Sequence, residues 1–500
     1  MQKINVGIIG GGRIADLHYL GYQNNPEARV YAICDVNEEI AKSRNKEWQT
    51  IKTYTNYQDL INDKEIDAVE ILVPHNQNLH EKIVVDTAKA GKHIAVQKPM
   101  TTSLTSADRM LAAVNKQKLV YKVTENYVFY PPIVKARELI EAGAIGEPTN
   151  LRIKFISGSS GGWTVPSSSW QWRMDEILSG RGTATFDHGH HLWSTAWFLL
   201  GAVEKVTGWI DFSKDVLDCP AMIIWKYKNG SKYGACDFAH STNLHIPSKY
   251  YANDEWIEVT GSQGILFIHR CSGNIHSGPA LSIFNGKTIE HIEIESDWSA
   301  GFKGATDNFI SAIKGKVRPL LSGQEAREVL RFALAVQKAA RLNREVYLDE
   351  LDSTWPAFYA WQRRNENKPK KLRSKWSIPF LFSAENLSQY APQAKSLTED
   401  LVKSFDPKLA ADWDLTIGIY LTADGTVTDE KICLSIKNGT ISLNFGEIPE
   451  NTTFTVTMSA GVWAAILLRK KRAEIAFLQG KIKAEGQVEE GLKLRAIFKL

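Results

Sequence analysis

Val-Gly-Ile-Ile-Gly-Gly-Gly-Arg-Ile-Ala-Asp-Leu-His at residues 6–18, followed by Val-Tyr-Ala-Ile-Cys-Asp at 30–35, decides the fold of the first part of this chain. The apolar run Ile4 to Ile9 reads as a buried parallel strand, and an amphipathic stretch from Arg13 to Gln23 follows it. A second apolar run, Arg29 to Cys34, ends in Asp35. Gly10 permits a tight strand-to-helix turn, Gly12 lets a pyrophosphate approach the backbone, and Ala15 lets the helix pack closely on the strand. A helix N-terminus there offers free N–H groups and a positive dipole end to phosphates, with Arg13 and Ile14 in its first turn. Asp35 stands where a carboxylate can accept hydrogen bonds from the hydroxyls of an adenosine ribose. Strand, glycines, helix, strand and acid, in that order, predict a dinucleotide-binding domain.

Five hundred residues exceed one core and predict several domains. No apolar run is long and uncharged enough to predict a transmembrane helix, and no signal peptide is expected before the first strand. The five scattered cysteines (Cys34, Cys219, Cys236, Cys271, Cys433) suit a reducing cytoplasm better than a disulfide framework. The net charge of +4 is unevenly spread. Lys+Arg against Asp+Glu is 39 to 40 for residues 1–354, 7 to 1 for 355–382, and 14 to 15 for 383–500. The surplus sits in one short segment, so no nucleic-acid-binding face is expected on a folded domain.

The expected architecture is an α/β Rossmann domain (1–125), an α+β open-sheet substrate and oligomerisation domain (126–354), a basic aromatic linker (355–382) and a small α+β domain (383–500). The strand candidates in the first domain are 4–9, 29–34, 68–73, 93–96 and 119–124. Beyond about 150, segments such as LRIKF, AMIIWKY and EWIEVTG alternate like strands of a largely antiparallel sheet, and 304–343 returns to helix. The segment 461–478 reads as one amphipathic helix.

Three clusters could carry chemistry. A strand ending at Val73 leads into Pro74, His75, Asn76 and His80, where the carboxyl ends of parallel strands border a ligand crevice. A second strand ends in Gln97-Lys98-Pro99, and a lysine beside a cofactor can trade a proton with a substrate hydroxyl. In the third, TFDHGHH at 185–191, Asp187 and His191 are four apart and would share one helix face, where carboxylate and imidazole could deprotonate a carbinol. His188, His190 and His191, with His269, Cys271 and His276, raise a metal reading. Consecutive histidines point in different directions, however, so no metal is expected.

The ordered set GGGRIA, ICD, VPHNQNLH, AGKHIAVQKPM, EAGAIGEP and GRGTATFDHGHH resembles the glucose–fructose oxidoreductase, inositol dehydrogenase and MocA family over about residues 1–350. The resemblance implies a bound NAD, with NADP the lesser expectation, and hydride transfer at a carbinol of a sugar, cyclitol or related polyol. It places the family lysine on Lys98 and the family Asp and His on Asp187 and His191. It also implies cofactor and substrate contacts at Asn126, and substrate contacts at Trp172, Arg173 and His188. Gln97 stands where the family usually has Glu, and His188 and His190 crowd a commonly aliphatic position. Two alternatives therefore stay open: a glycosidase or lyase that recycles its cofactor through transient sugar oxidation, and a nucleotide-binding protein without turnover. A homo-oligomer is expected.

Residues from TFTVTMS at 453 to GLKL at 494 resemble the sterol-carrier-protein, or lipid-transfer, fold. That resemblance implies an apolar tunnel with Ile417, Ile419, Phe454, Trp463, Ile466 and Phe477 as lining, and an apolar ligand as a further partner. Interleaved aromatic and basic residues at 355–382 would allow membrane contact, although a linker is the simpler expectation.

Overall fold

The structure, a computed structural model, describes residues 3–75, 78–163, 172–174, 177–179, 181–211, 217–352, 386–410 and 413–486. Asn76, the segment 355–382 and the final GLKL element lie outside the described residues. The chain divides into two compact units, Met1–Lys368 and Pro369–Leu500.

In the first unit, β1 (Ile4–Ile9), β2 (Ala28–Cys34), β3 (Lys52–Tyr54), β4 (Ala68–Ile71), β5 (His93–Gln97) and β6 (Tyr121–Thr124) form a sheet of order β3-β2-β1-β4-β5-β6. All its pairings are parallel. Every residue of β1 is buried, because helices cover both faces of such a sheet, and this is why the strand reads as a continuous apolar run. β3 was not expected: three partly exposed residues are too short to show a period. The strand order reverses between β1 and β4, which opens a crevice above their carboxyl ends.

The second sheet has nine strands: β7 (Pro148–Ser160), β8 (Val203–Ile210), β9 (Ala221–Tyr227), β10 (Tyr233–His245), β11 (Asn253–Gly261), β12 (Ile265–Ile268), β13 (Leu281–Phe284), β14 (Ile289–Ile292) and β15 (Val346–Tyr347). The order is β14-β13-β12-β11-β7-β10-β9-β8-β15, antiparallel except for β7 beside β10. Alternation along β7 buries Leu151, Ile153 and Phe155. The helices Gly189–Leu200 and Gly323–Leu342 share the core with that face, Trp193 packing against both Phe238 and Phe332. Trp209 and its cross-strand partner Met222, with Ile224 two residues on, remain exposed on the opposite side of β8 and β9.

The second unit is built on β16 (Asp414–Thr422), β17 (Glu430–Lys437), β18 (Thr440–Phe445), β19 (Phe454–Ser459) and β20 (Ile482–Gly486), in the order β18-β17-β16-β19-β20. Two corrections arise here. The single helix expected over 461–478 is two, Ala460–Leu467 and Ala473–Leu478. The first is buried from Ala460 through Ile466 and so has no polar face. It stops where the cationic run Arg469–Arg472 begins, Arg469 turning left-handed at φ 56. Ile417, Ile419, Phe454, Trp463 and Ile466 enter the buried cluster, but Phe477 is 49% exposed and leaves the expected apolar lining.

Candidate active site

The nucleotide turn is formed as its glycines require. Gly10 adopts φ 102 and its N–H donates to the Cys34 carbonyl at 2.8 Å. A Cβ on it would meet the Leu72 carbonyl oxygen at 2.8 Å, whereas a Cβ on Gly12 would meet nothing within 4 Å. The helix Arg13–Tyr22 begins at Gly12 with no side-chain cap; the Ala15 N–H donates to the Gly12 carbonyl at 3.0 Å, so the N–H groups of Arg13 and Ile14 are the ones left for an external acceptor. Ile14 packs on the core beneath the turn. Asp35 closes the turn from the second strand, its carboxylate accepting from Gly11 N at 2.8 Å and from Asn37 N at 2.9 Å. The open approach above Gly12 and the uncapped helix end fit a dinucleotide pyrophosphate.

Two nearby arginines are already engaged. Arg44 reaches Asp16 at 2.5 Å and Glu47 at 2.7 Å, and donates to the Gly11 carbonyl at 2.9 Å. The Arg13 guanidinium lies 4.2 Å over the Trp163 ring, bridging from the nucleotide turn to the end of the second sheet.

Past β4, Pro74 is exposed and His75 buried. The His75 ring meets Trp172 edge-on at 5.6 Å, and the Arg173 guanidinium covers Trp172 at 4.4 Å. His80 is corrected from the expected cofactor contact. It is fully buried, with Nε2 2.8 Å from the Val73 carbonyl and Nδ1 3.0 Å from the Pro99 carbonyl. Burial pushes this imidazole down to about 4. Both ring nitrogens face backbone carbonyls, so His80 ties two loops together and turns neither nitrogen toward a ligand.

Lys98 follows β5 and precedes Pro99 across a cis peptide bond. Its ammonium donates to Asp187 twice, to the backbone carbonyl at 2.9 Å and to Oδ1 at 3.0 Å, leaving one N–H. Burial alone would raise the Asp187 carboxyl, but Lys98, with His75 and Arg173, holds it well below the usual carboxylate range. Gln97 turns away from this pair. Its Oε1 accepts from Lys98 N at 2.7 Å, and its Nε2 is 3.2 Å from His18 Nε2. His18 is in turn held by buried Glu70 at 2.7 Å. The charge missing at Gln97 is thus found one strand away, on Glu70.

Asp187 closes a π-helical segment, Thr183–His188, that passes into the α-helix Gly189–Leu200. Such segments often occur at functional sites because they redirect side chains. Asp218 fixes the start of this one by accepting from Ala184 N at 2.7 Å and Thr185 N at 2.9 Å. Asp187 and His191 both face Lys98 electrostatically, and the Asp187 charge also favours a proton on His191. The hydrogen-bond partner of the His191 ring among the described residues is nevertheless a different carboxylate. His191 Nδ1 is 2.6 Å from Glu125 Oε1, and the ring stacks on Tyr127 at 4.4 Å. The other histidines diverge: His188 Nε2 is 2.7 Å from Glu255 Oε1, and His190 Nδ1 is 2.6 Å from the Phe186 carbonyl. Asn126, next to Glu125, is buried with its Nδ2 lacking any partner, as a group awaiting a ligand acceptor would be.

Glu125, Glu255 and the Glu70–His18 pair were missed in the sequence. Glu125 carried a usable signal, since it stands directly beyond β6 at the carboxyl edge of the sheet, as Lys98 stands beyond β5.

Residues 4–125 match the oxidoreductase family, NAD-binding Rossmann fold (GFO/IDH/MocA), and residues 133–267 match the GFO/IDH/MocA C-terminal domain. An uncharacterized oxidoreductase YrbE of Bacillus subtilis is 35% identical over 273 residues, covering 53% of this chain and 73% of the relative. The chain belongs to the GFO/IDH/MocA oxidoreductase family. A myo-inositol 2-dehydrogenase of Thermotoga maritima is 26% identical over 361 residues, 70% of this chain and 99% of the relative. A levoglucosan dehydrogenase of Pseudarthrobacter phenanthrenivorans is 30% identical over 215 residues, 41% of this chain and 53% of the relative, so that match spans only about half of that enzyme. In fold, an oxidoreductase from Agrobacterium radiobacter, solved with NAD+, L-tartaric acid and magnesium, superposes with a TM-score of 0.61 at 19% identity, covering 70% of this chain and all of the other. Residues 398–499 match the SCP-2 sterol transfer family. GFO/IDH/MocA members with this NAD-binding domain are oxidoreductases, and the present chain carries the SCP-2 domain on the same polypeptide.

Proposed function

We propose that the chain is an NAD(H)-dependent dehydrogenase acting on a carbinol carbon of a sugar, cyclitol or related polyol. The observation that carries this is the convergence of Lys98, Asp187 and His191 beyond β5 and β6, in the same unit as the phosphate-accepting turn. The remaining N–H of Lys98 donates to the carbinol oxygen, while Asp187 fixes the ammonium. His191 presents Nε2, the ring nitrogen not engaged by Glu125, to the hydroxyl proton. Asn126, His75, Trp172 and Arg173 line the approach. Bound NAD supplies the hydride acceptor. The relatives named for levoglucosan and myo-inositol support a polyhydroxylated ring as substrate.

NAD is favoured over NADP because the Asp35 carboxylate would repel a 2′-phosphate. The arginines that could offset it are committed elsewhere, Arg44 to two carboxylates and Arg13 to Trp163. Incubation with NAD+ and a polyol panel tests the reading: NADH accumulates with at least one ring polyol. Glycoside cleavage without net NADH would instead favour the cofactor-recycling alternative.

The domain limits 1–125, 126–354, 355–382 and 383–500 are proposed on the same basis. The exposed apolar side of β8 and β9 around Trp209, Met222 and Ile224 supports a second copy of the chain as partner, which light scattering would report. The SCP-2 match supports an apolar ligand for the last domain, testable by mass spectrometry of extracted protein.

A further inference from the structure

We infer that Glu125 and His191 act as one proton-storing pair, in which Glu125 is the positioning residue and His191 Nε2 the atom that exchanges the proton with the substrate hydroxyl. The inference rests on the dehydrogenase reading above and adds a residue to it.

The geometry is specific. Glu125 Oε1 is 2.6 Å from His191 Nδ1 and is also aimed by the Tyr127 N–H at 3.0 Å. Tyr127 then stacks on the imidazole it helps to orient, at 21° between planes. Glu125 is 1% exposed and His191 7% exposed. Glu125 Oε2 is buried with no hydrogen-bond partner. A buried carboxylate lacking half its acceptor complement is poorly compensated as an anion.

The charged groups facing the pair come from four elements. Lys98 and Asp187 form a compensated pair on one side. His188 is held by Glu255 on another, and His190 is bonded to the Phe186 carbonyl. Burial pushes the Glu125 carboxyl up to about 7, against the opposing pull of Tyr127 N–H, Lys98, His190 and His188. Burial also holds His191 well below an ordinary imidazole, with Lys98 and His188 adding to the effect. Neither partner is stable carrying an isolated charge, so one added proton is best held between them.

Two net-neutral arrangements follow. Either Glu125 is protonated and donates to Nδ1, or glutamate faces an imidazolium. In both, Nε2 bears a hydrogen. When that proton is lost the pair becomes anionic, with Nδ1–H donating to Oε1 and Nε2 open as an acceptor. Oxidation of a carbinol then balances. The O–H bond breaks and its proton bonds to Nε2, while the carbinol C–H pair leaves as hydride to the nicotinamide. The carbinol becomes a carbonyl, oxidised by two electrons, and NAD+ is reduced. Uptake of the proton neutralises the buried pair, so burial drives proton transfer. Reduction of the carbonyl runs the same steps backward.

Glu125→Gln retains the shape and can still accept from Nδ1–H, but it cannot compensate an imidazolium. Nitrogen-15 imidazole NMR of the full chain without substrate reads His191 directly, its signal identified by loss in His191→Gln. In Glu125→Gln the His191 titration moves to lower pH by at least about one unit, equivalent to tenfold in proton affinity. The acidic limb of the pH–rate profile moves the same way and plateau kcat falls at least roughly tenfold, while NADH affinity is unchanged. Glu125→Asp restores part of both shifts. An unchanged His191 titration and an unchanged acidic limb in Glu125→Gln would overturn the pair. A shifted titration in a protein that oxidises no polyol would uphold the pair and remove the dehydrogenase reading, so the two failures are distinct.

Discussion

Gly10 and Gly12 sit two residues apart in one turn, yet the structure gives their replacement by alanine opposite consequences. Gly10 holds φ 102, and an added Cβ would press on the Leu72 carbonyl oxygen, a backbone atom at the end of β4 that cannot rotate away. Strain of this kind costs roughly 1–3 kcal/mol before the contact is counted. Gly10→Ala therefore unfolds at lower denaturant whether or not nucleotide is present. Gly12 has φ −66 and ψ −177, open to any residue, and its Cβ would enter empty space. Loss of a glycine at a helix N-cap costs of order 1 kcal/mol or less, so the ligand-free Gly12→Ala protein folds nearly as wild type. Its added methyl occupies the approach to the uncapped first-turn N–H groups. Losing two charge-assisted hydrogen bonds there, each worth about 1.5–3 kcal/mol, weakens NADH binding by roughly 10²–10⁴-fold. Denaturant unfolding without nucleotide and calorimetric titration with NADH separate the two effects. Wild-type NADH affinity in Gly12→Ala, or wild-type stability in Gly10→Ala, would refute this account of the turn.

Asp35→Ser removes the charge that opposes a 2′-phosphate, so NADP(H) affinity rises relative to NAD(H); direct titration showing a fall would mean Asp35 has another role. Lys98→Met and His191→Ala each lower kcat by roughly 10²–10⁴-fold with nucleotide still bound, and near-normal kcat in either would exclude that residue from the reaction. Burial pushes the Lys122 ammonium, held by the Ala305 carbonyl and Asn308 Oδ1, down to about 7. Between that value and the ordinary lysine range the unfolded chain binds the extra proton. Stability therefore rises with pH from about 7 to about 10, by at most roughly 1.4 kcal/mol per unit, and Lys122→Met flattens the slope in denaturant titrations. Limited proteolysis first cuts within 355–382 and releases soluble fragments close to 1–354 and 383–500, whereas an earlier cut elsewhere would move the boundary.

What could be read in advance follows from how far each signal travels along the chain. The Rossmann order was legible because a fully buried parallel strand shows itself as an unbroken apolar run, and because Gly10, Gly12 and Asp35 act through backbone shape at fixed spacing. β3 was not legible, since three half-exposed residues carry no period. The Lys98–Asp187 pair joins residues 89 apart; each stood out by its own motif, but their contact depends on the π-helical turn that Asp218 stabilises from a separate loop. His191 shows the limit most clearly. Spacing four from Asp187 predicts a shared helix face, and charge couples both residues to Lys98, yet the atom that governs the His191 tautomer belongs to Glu125, 66 residues away on the last Rossmann strand's exit. Helical periodicity tells which side chains share a face, not which carboxylate will meet them across a domain junction. The same holds for Gln97, where the absent charge looked like a defect in the site. Glu70 supplies that charge through His18, from the neighbouring strand β4 rather than from the motif itself. A departure from a familiar local pattern is thus better judged by what lies across the adjacent strands than by the motif alone, because hydrogen-bonded charge can be relocated by one sheet position without moving the groups that face the ligand.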